Sequence, residues 1–151
     1  MNNLSVVLST YNEAGNIEQA IKKLLNKESV KEIIIVDDSS TDDTIEIIKN
    51  IKSDKIKLFI RTNTKGFASA FMYGIIMSSG EYILRFDIDM HSEIDLFIKT
   101  CEENTNKDCL IFSRYVENGK DLRGNYRKIP SLLINKFCQF LLSSKIKDYT
   151  S

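Results

Sequence analysis

Asp87 and Asp89 stand one residue apart across Ile88, and His91 follows two positions later, all directly after the apolar run Tyr82-Ile83-Leu84. In an extended segment alternate side chains share a face, so both carboxylates would point the same way. Two carboxylates about 4 Å apart repel by roughly 4 kcal/mol at an effective dielectric of about 20, a cost that a shared dication more than offsets. Mg2+ takes one or two carboxylates and completes its shell with water and phosphate oxygens. Mn2+ suits the same oxygen-rich set, and an imidazole ligand favours it. The chemistry indicated is metal-dependent work on a phosphorylated substrate. The plainer reading of Asp-x-Asp is capping of a helix that starts near Ser92.

Other polar clusters accompany this one. Asp37 and Asp38 follow the apolar run Ile33-Ile34-Ile35-Val36, where a carboxylate can accept hydrogen bonds from a ribose or a base. Helix capping competes for the residues downstream, through Ser40 and Asp43. Between Ser113 and Arg127 lie Arg114, Lys120, Arg123 and Arg127, and guanidinium forks match phosphate oxygens. Neither G-x-G-x-x-G nor G-x-x-x-x-G-K-[ST] occurs, which removes the key element of the dehydrogenase and P-loop readings.

The elements that would carry these clusters can be read from periodicity. Leu4 to Leu8 is a short apolar strand that stops at Ser9-Thr10-Tyr11-Asn12-Glu13. Ile17, Ala20, Ile21, Leu24 and Leu25 recur at helical spacing, with Asn16 and Gln19 spaced as a capping box. The pattern repeats: strand Ile33–Val36, then a helix on Ile45, Ile48 and Ile51, then strand Ile56–Ile60. A third helix opens at Lys65-Gly66, Gly80 is placed to close it, and Tyr82–Phe86 is a fourth strand. Beyond it, Ile94, Phe97, Ile98 and Cys101 predict a helix, Cys109–Phe112 a strand, and Ser113 to Arg127 a polar loop. Ser131 to Leu142 predicts a helix apolar on nearly every face, either buried or awaiting a partner. Strands alternating with helices predict an α/β domain with a mainly parallel sheet, in which ligands bind outside the carboxyl ends of the strands. Thr10 to Glu13, Asp37 and Asp38, Arg61 to Lys65, and Asp87 to His91 all fall at such ends.

Composition agrees with one compact domain. The chain has 151 residues, 42% hydrophobic and 28% charged, with 21 basic against 21 acidic side chains, which argues against disorder and against a nucleic-acid partner. Cys101, Cys109 and Cys138 form no C-x-x-C and are expected as small buried residues in a reducing compartment. No segment approaches the roughly 20 apolar residues of a membrane span, so a cytoplasmic location is expected, with peripheral membrane association left open.

Three runs in order resemble the inverting glycosyltransferases of family 2, and within them the polyprenyl-phosphate sugar synthases. These are Val6-Val7-Leu8-Ser9-Thr10-Tyr11-Asn12-Glu13, Ile35-Val36-Asp37-Asp38-Ser39-Ser40-Thr41-Asp42-Asp43-Thr44 and Asp87-Ile88-Asp89-Met90-His91. Asn63-Thr64-Lys65-Gly66 with Ala70 and Gly74, Ser113-Arg114-Tyr115-Val116, the spaced Arg127, Ser131 and Asn135, and Asp148-Tyr149-Thr150-Ser151 are similar to further family segments. The resemblance implies a GT-A fold, a nucleotide-diphosphate sugar donor and Mg2+ or Mn2+. It implies that Tyr11, Glu13 and one or both of Asp37 and Asp38 contact the nucleoside, with Ser9, Val36, Lys65, Ile88 and Ser131 as further substrate-binding positions. Asp87 would lie near the donor, Asp89 and His91 would bind metal, and Arg114 and Arg127 would face phosphate, with Asp87, Asp89 and Arg114 as the catalytic set.

Ser9 stands where the family has proline, and His91 where it has glutamine. The family's last motif runs past Ser151, which leads to the expectation of a C-terminally truncated domain. A nucleotide-sugar-binding half, 1–92, would precede an incomplete acceptor-side half, 93–151. A lipid-phosphate acceptor agrees with the basic loop and with the apolar helix Ser131 to Leu142, which would serve a membrane surface or a homo-oligomer. Two rival functions are a nucleotide-sugar-binding module without turnover and a nucleotidyltransferase. The second lacks the basic, glycine-rich loop expected after the first strand.

Overall fold

The computed structural model describes residues 3–63, 65–113 and 125–142. The chain forms two compact units, Met1–Asn106 and Lys107–Ser151. In the first, β1 (Leu4–Thr10), β2 (Val30–Asp37), β3 (Ile56–Ile60) and β4 (Tyr82–Arg85) alternate with α1 (Ile17–Leu25), α2 (Thr44–Asn50) and α3 (Phe67–Met77). A 3-10 turn, Ile88–Glu93, then leads into α4 (Ile94–Glu103). The sheet order is β3-β2-β1-β4 and every pairing is parallel, with Val7 opposite Ile34 on one side and Arg85 on the other.

Alternation along the strands feeds two faces. Val7, Ile34 and Val36 pack with Ala70 beneath α3, and Phe59, Phe71 and Met77 extend that layer. Gly74 lets the helix approach: a Cβ there would meet Val7 Cγ1 at 2.3 Å. The intervening residues Val6, Leu8, Ile33 and Ile35 are equally inaccessible. α1 packs against β2 and against α2 and α4, burying Ile17, Ala20, Ile21 and Leu24. Each buried isoleucine, leucine or valine contributes about 1.5–3 kcal/mol, so the apolar stripes anticipated from spacing are what hold the layers together.

Several local expectations are corrected. The capping box at Asn16 does not form: Asn16 makes no side-chain cap bond, and its amide instead reaches Glu13 Oε2 at 3.4 Å. The Glu13 carbonyl accepts from the Asn16 and Ile17 N–H groups and satisfies the helix start without it. Gly80 does not cap α3, which ends at an extended Ser78; its N–H donates to Ser5 Oγ at 2.9 Å, and a Cβ would lie 2.6 Å from the Asn3 carbonyl oxygen. Asp89 is not extended but lies inside the 3-10 turn, while Asp87 is extended and precedes it without a side-chain capping bond. Of the α2 stripe only Ile48 is fully buried, with Ile45 and Ile51 half-buried.

In the second unit, Cys109–Phe112 has no regular structure, and Cys109 and Ile111 are exposed. A short apolar run becomes a strand only when a ladder takes its N–H and C=O groups, and these residues join none among those described. Helix α5 (Asn125–Leu142) begins within the expected polar loop and continues through Pro130. Leu133, Phe137 and Phe140 on it are more than half exposed, whereas Ser131 and Asn135 are buried. The three cysteines are free thiols, and only Cys101 and Cys138 are partly buried, so the expectation of buried cysteines fails at Cys109.

Candidate active site

Strand order reverses at β1: β2 and β3 lie on one side of it and β4, last in sequence, on the other. In parallel α/β sheets such a switch point opens a crevice at the carboxyl ends of the strands. A cavity of about 400 Å³ occupies that place. Ser9, Thr10, Tyr11 and Glu13 line it from the end of β1, and Asp38 from the end of β2. Arg85, Asp87, Ile88 and Asp89 line it from β4 and its turn, and Phe67 and Ala70 from α3.

The β1 and β2 loops are stitched to each other. Asn12 adopts φ 57°, a left-handed conformation that asparagine tolerates, and its Oδ1 accepts from Thr41 N–H at 2.8 Å. Its own N–H donates to Ser40 Oγ at 2.9 Å, and the Glu13 N–H donates to Thr44 Oγ1 at 2.8 Å. Ser39 also has positive φ, 59°, held by its hydroxyl donating to the Arg61 carbonyl at 2.7 Å. The Thr44 hydroxyl and N–H donate to Asp42, with a further bond from the Ala14 N–H, and these hold the Asp42 carboxyl below its ordinary range.

The two aspartates after β2 have different tasks. Asp37 is fully buried and accepts from Thr10 Oγ1 at 2.7 Å, Ser40 N–H at 2.8 Å and Ser40 Oγ at 2.6 Å, so its lone pairs go to the fold. Asp38 lines the cavity and holds its rim: Arg61 Nε donates to Oδ1 at 2.7 Å, and the Gly66 N–H to Oδ2 at 2.7 Å. Gly66 has φ 130°, open to glycine and strained for other residues. This loop delivers Phe67 to the cavity and sets Lys65 Nζ 5.6 Å from the centre of the Tyr11 ring.

Leu84 on β4 and Phe86 just past it are buried, and Phe86 meets Phe97 of α4 edge to face at 5.3 Å. Alternation therefore turns Arg85 to the cavity side. Its guanidinium lies 4.6 Å from the Phe67 ring centre, and Nη2 donates to both oxygens of Asp87, at 3.0 and 2.9 Å. Asp89, exposed at the cavity edge, makes no hydrogen bond or ion pair among the described residues. His91 does not line the cavity; its Nδ1 lies 3.3 Å from the Ile88 carbonyl oxygen. With the proton on Nδ1, the Nε2 lone pair is left for a ligand.

Among the described residues no group of three or more His, Cys, Asp and Glu is arranged to hold a metal ion unaided. Asp89 nevertheless offers an uncommitted oxygen donor at the cavity edge, and one carboxylate completed by water and diphosphate oxygens is a usual Mg2+ environment. The residues present fit a hard cation held jointly with substrate.

Of the residues anticipated from sequence, Ser9, Tyr11, Glu13, Asp38, Asp87, Ile88 and Asp89 meet in one cavity. Lys65 stands beside it on Tyr11, while Val36 sits in the core beneath α3, so only its backbone could reach a ligand. Arg114 and the Arg127 side chain lie outside the described residues, and Ser131 belongs to the second unit. Phe67 and Arg85 were not anticipated as site residues, Thr10 only as part of the polar run at the end of the first strand, and Ala70 only as part of a helix entry similar to the family's. Arg85 carried a signal, a charge at the end of an apolar strand beside an acidic pair, but its facing depended on which strand neighbours it.

A parallel α/β sheet with an acidic cavity at its switch point, built on these loops, is a GT-A fold. The chain belongs to glycosyl transferase family 2, whose model matches residues 5–151. It is 35% identical over 121 residues to a dolichol-phosphate mannosyltransferase of Pyrococcus furiosus, covering 78% of this chain and 34% of that protein. It is also 35% identical over 127 residues to an uncharacterized glycosyltransferase of Rickettsia bellii, covering 82% of this chain and 18% of that one. The chain thus spans 34% and 18% of the length of these two relatives. Among solved structures it is similar to a mannosyltransferase of Pyrobaculum calidifontis in complex with GDP-Man and Mn2+, at 26% identity and TM-score 0.53, over 58% of this chain and 27% of that one. TarS of S. aureus shares the fold at TM-score 0.56 and 23% identity, over 76% and 40% of the two chains. No helix among the described residues is long and apolar enough to cross a membrane.

Proposed function

We propose that the cavity binds a nucleotide-diphosphate sugar and that the chain supplies the donor side of an inverting glycosyl transfer. The observation that carries this is the convergence of Tyr11, Asp38, Asp87 and Asp89 from three strand ends on one cavity. The nucleoside lies toward Tyr11, Glu13 and Asp38, and the diphosphate toward Asp87 and Asp89. The P. calidifontis mannosyltransferase with GDP-Man and Mn2+ supports this class of donor and a divalent ion. Asp89 and His91 are the residues that would hold Mg2+ or Mn2+, which when bound neutralises charge on the diphosphate. Arg114 and Arg127 are proposed phosphate contacts.

In the transfer, an acceptor oxygen attacks the anomeric carbon on the face opposite the diphosphate. The bond from that carbon to the phosphate oxygen breaks, its electron pair leaves with the diphosphate, and configuration inverts. Similarity to the P. furiosus dolichol-phosphate mannosyltransferase supports a polyprenyl phosphate as the acceptor in this reading. Such an acceptor is ionised near neutral pH and needs no strong general base, whereas a hydroxyl acceptor would. Residues 1–92 form the donor side of this reading and 93–151 part of the acceptor side, with α5 a proposed contact to a membrane surface or a second copy.

A thermal-shift panel of UDP, GDP and their sugars, with and without Mg2+ or Mn2+, tests the donor site. A ligand at about 100 times its dissociation constant stabilises by about 2.7 kcal/mol, so at least one nucleotide should raise Tm by several degrees, and more with metal. No metal-dependent stabilisation by any member would overturn the reading. Release or transfer of labelled sugar then separates turnover from binding alone.

A further inference from the structure

Arg85 is the positive charge among the described residues lining the cavity, and it is already committed. One nitrogen, Nη2, serves both oxygens of Asp87, and the guanidinium lies against Phe67 at 4.6 Å. Its Nε is buried without an acceptor among the described residues, so the group is held by the stack and the ion pair together. Asp87 and Asp89, by contrast, are not treated alike: Asp89 has no such partner.

We propose that Arg85 is a positioning residue that reserves Asp87 for the donor, by keeping its carboxylate from joining Asp89 as a second cation ligand. A dication then finds one uncommitted carboxylate, Asp89, at the cavity and is held firmly only once diphosphate oxygens join it. Cation binding becomes dependent on nucleotide, although the sequence carries two carboxylates at ligand spacing. Phe67 is part of the device, because a planar guanidinium stacked on a ring keeps one orientation where an ammonium would not. This inference rests on the donor-site reading above.

The test is a titration of the folded chain with Mn2+ alone, followed by electron paramagnetic resonance of the free ion. It is paired with calorimetry of GDP and UDP in the presence of Mn2+. In Arg85→Met, Asp87 is released, and affinity for Mn2+ without nucleotide should rise roughly tenfold, the order expected when one more carboxylate faces a dication in a wet cavity. Nucleotide diphosphate affinity should fall in the same variant. Adding Asp87→Asn should abolish the gain, and Arg85→Lys should restore part of the wild-type behaviour. Phe67→Ala, at an exposed position, should move Mn2+ affinity the same way by a smaller factor, and serves if the Arg85 variant fails to fold. Unchanged or weaker Mn2+ binding in folded Arg85→Met and Phe67→Ala would overturn the inference while leaving nucleotide binding by the wild type intact. Failure of the wild type to bind either nucleotide would overturn the donor-site reading, and this inference with it.

Discussion

Glu32 offers a quantitative test of how the sheet is locked beneath the cavity. It lies at the start of β2, is 3% exposed, and draws three other segments together. Ser5 Oγ of β1 donates to it at 2.5 Å, Lys57 Nζ of β3 at 2.6 Å, and the Ser79 N–H between α3 and β4 at 2.6 Å. Burial opposes the charge, but the Lys57 ammonium and the bonds from Ser5 and Ser79 outweigh it and lower the carboxyl from 4.5 to about 2. Each pKa unit is worth about 1.4 kcal/mol, which makes the charged form worth about 3 kcal/mol, trimmed to about 2 kcal/mol because Lys57 is partly solvated. Because the folded pKa is the depressed one, the unfolded chain takes up the proton first. The contribution is complete above the unfolded value of 4.5 and is lost as pH falls toward 2. Urea unfolding of wild type and Glu32→Gln at steps from pH 7 to pH 3 reads it directly. The wild type should lead by about 2 kcal/mol at pH 7, and the lead should shrink steadily below about pH 4.5. A lead that does not change with pH would refute the reasoning, since loss of packing alone has no reason to titrate.

Two further outcomes follow from the same geometry. Gly74→Ala gains up to about 1 kcal/mol of helix propensity but forces α3 off Val7, at about 1–3 kcal/mol. Net destabilisation in urea, partly reversed by adding Val7→Ala, is expected. Asp38→Asn strips the partner from Arg61 in a pair whose side chains are 10% and 11% exposed. Such a loss typically costs about 3–5 kcal/mol, and calorimetry at a temperature where the variant is folded should show weakened nucleotide binding as the Gly66 loop is released.

Short-range chemistry made much of this legible in the sequence. The alternation of buried strands and amphipathic helices, and the placing of Asp38, Asp87 and Asp89 just past strand ends, follow from hydrophobic period and from where an apolar run must stop. Boundaries were less legible, because β1 and β2 extend into the polar Ser9, Thr10 and Asp37, which pair only because a neighbouring strand accepts them. The Asn16 box failed to a local competitor, since the Glu13 carbonyl three residues back took over the helix start, and the Gly80 cap failed to a distant one, since Ser5 took its amide.

Sequence alone therefore determined the class of fold and set acidic residues just past the strand ends, since hydrophobic period and residue spacing suffice for both. Tertiary structure decided which of two adjacent aspartates lines the cavity, because the Thr10 and Ser40 hydroxyls engage buried Asp37 while Asp38 turns to Arg61 and Gly66. It also decided that Asp87 and Asp89 are not equivalent. Arg85 precedes them both, but β4 pairing with β1 and the arrival of Phe67 on α3 aim its guanidinium at Asp87 and leave Asp89 open.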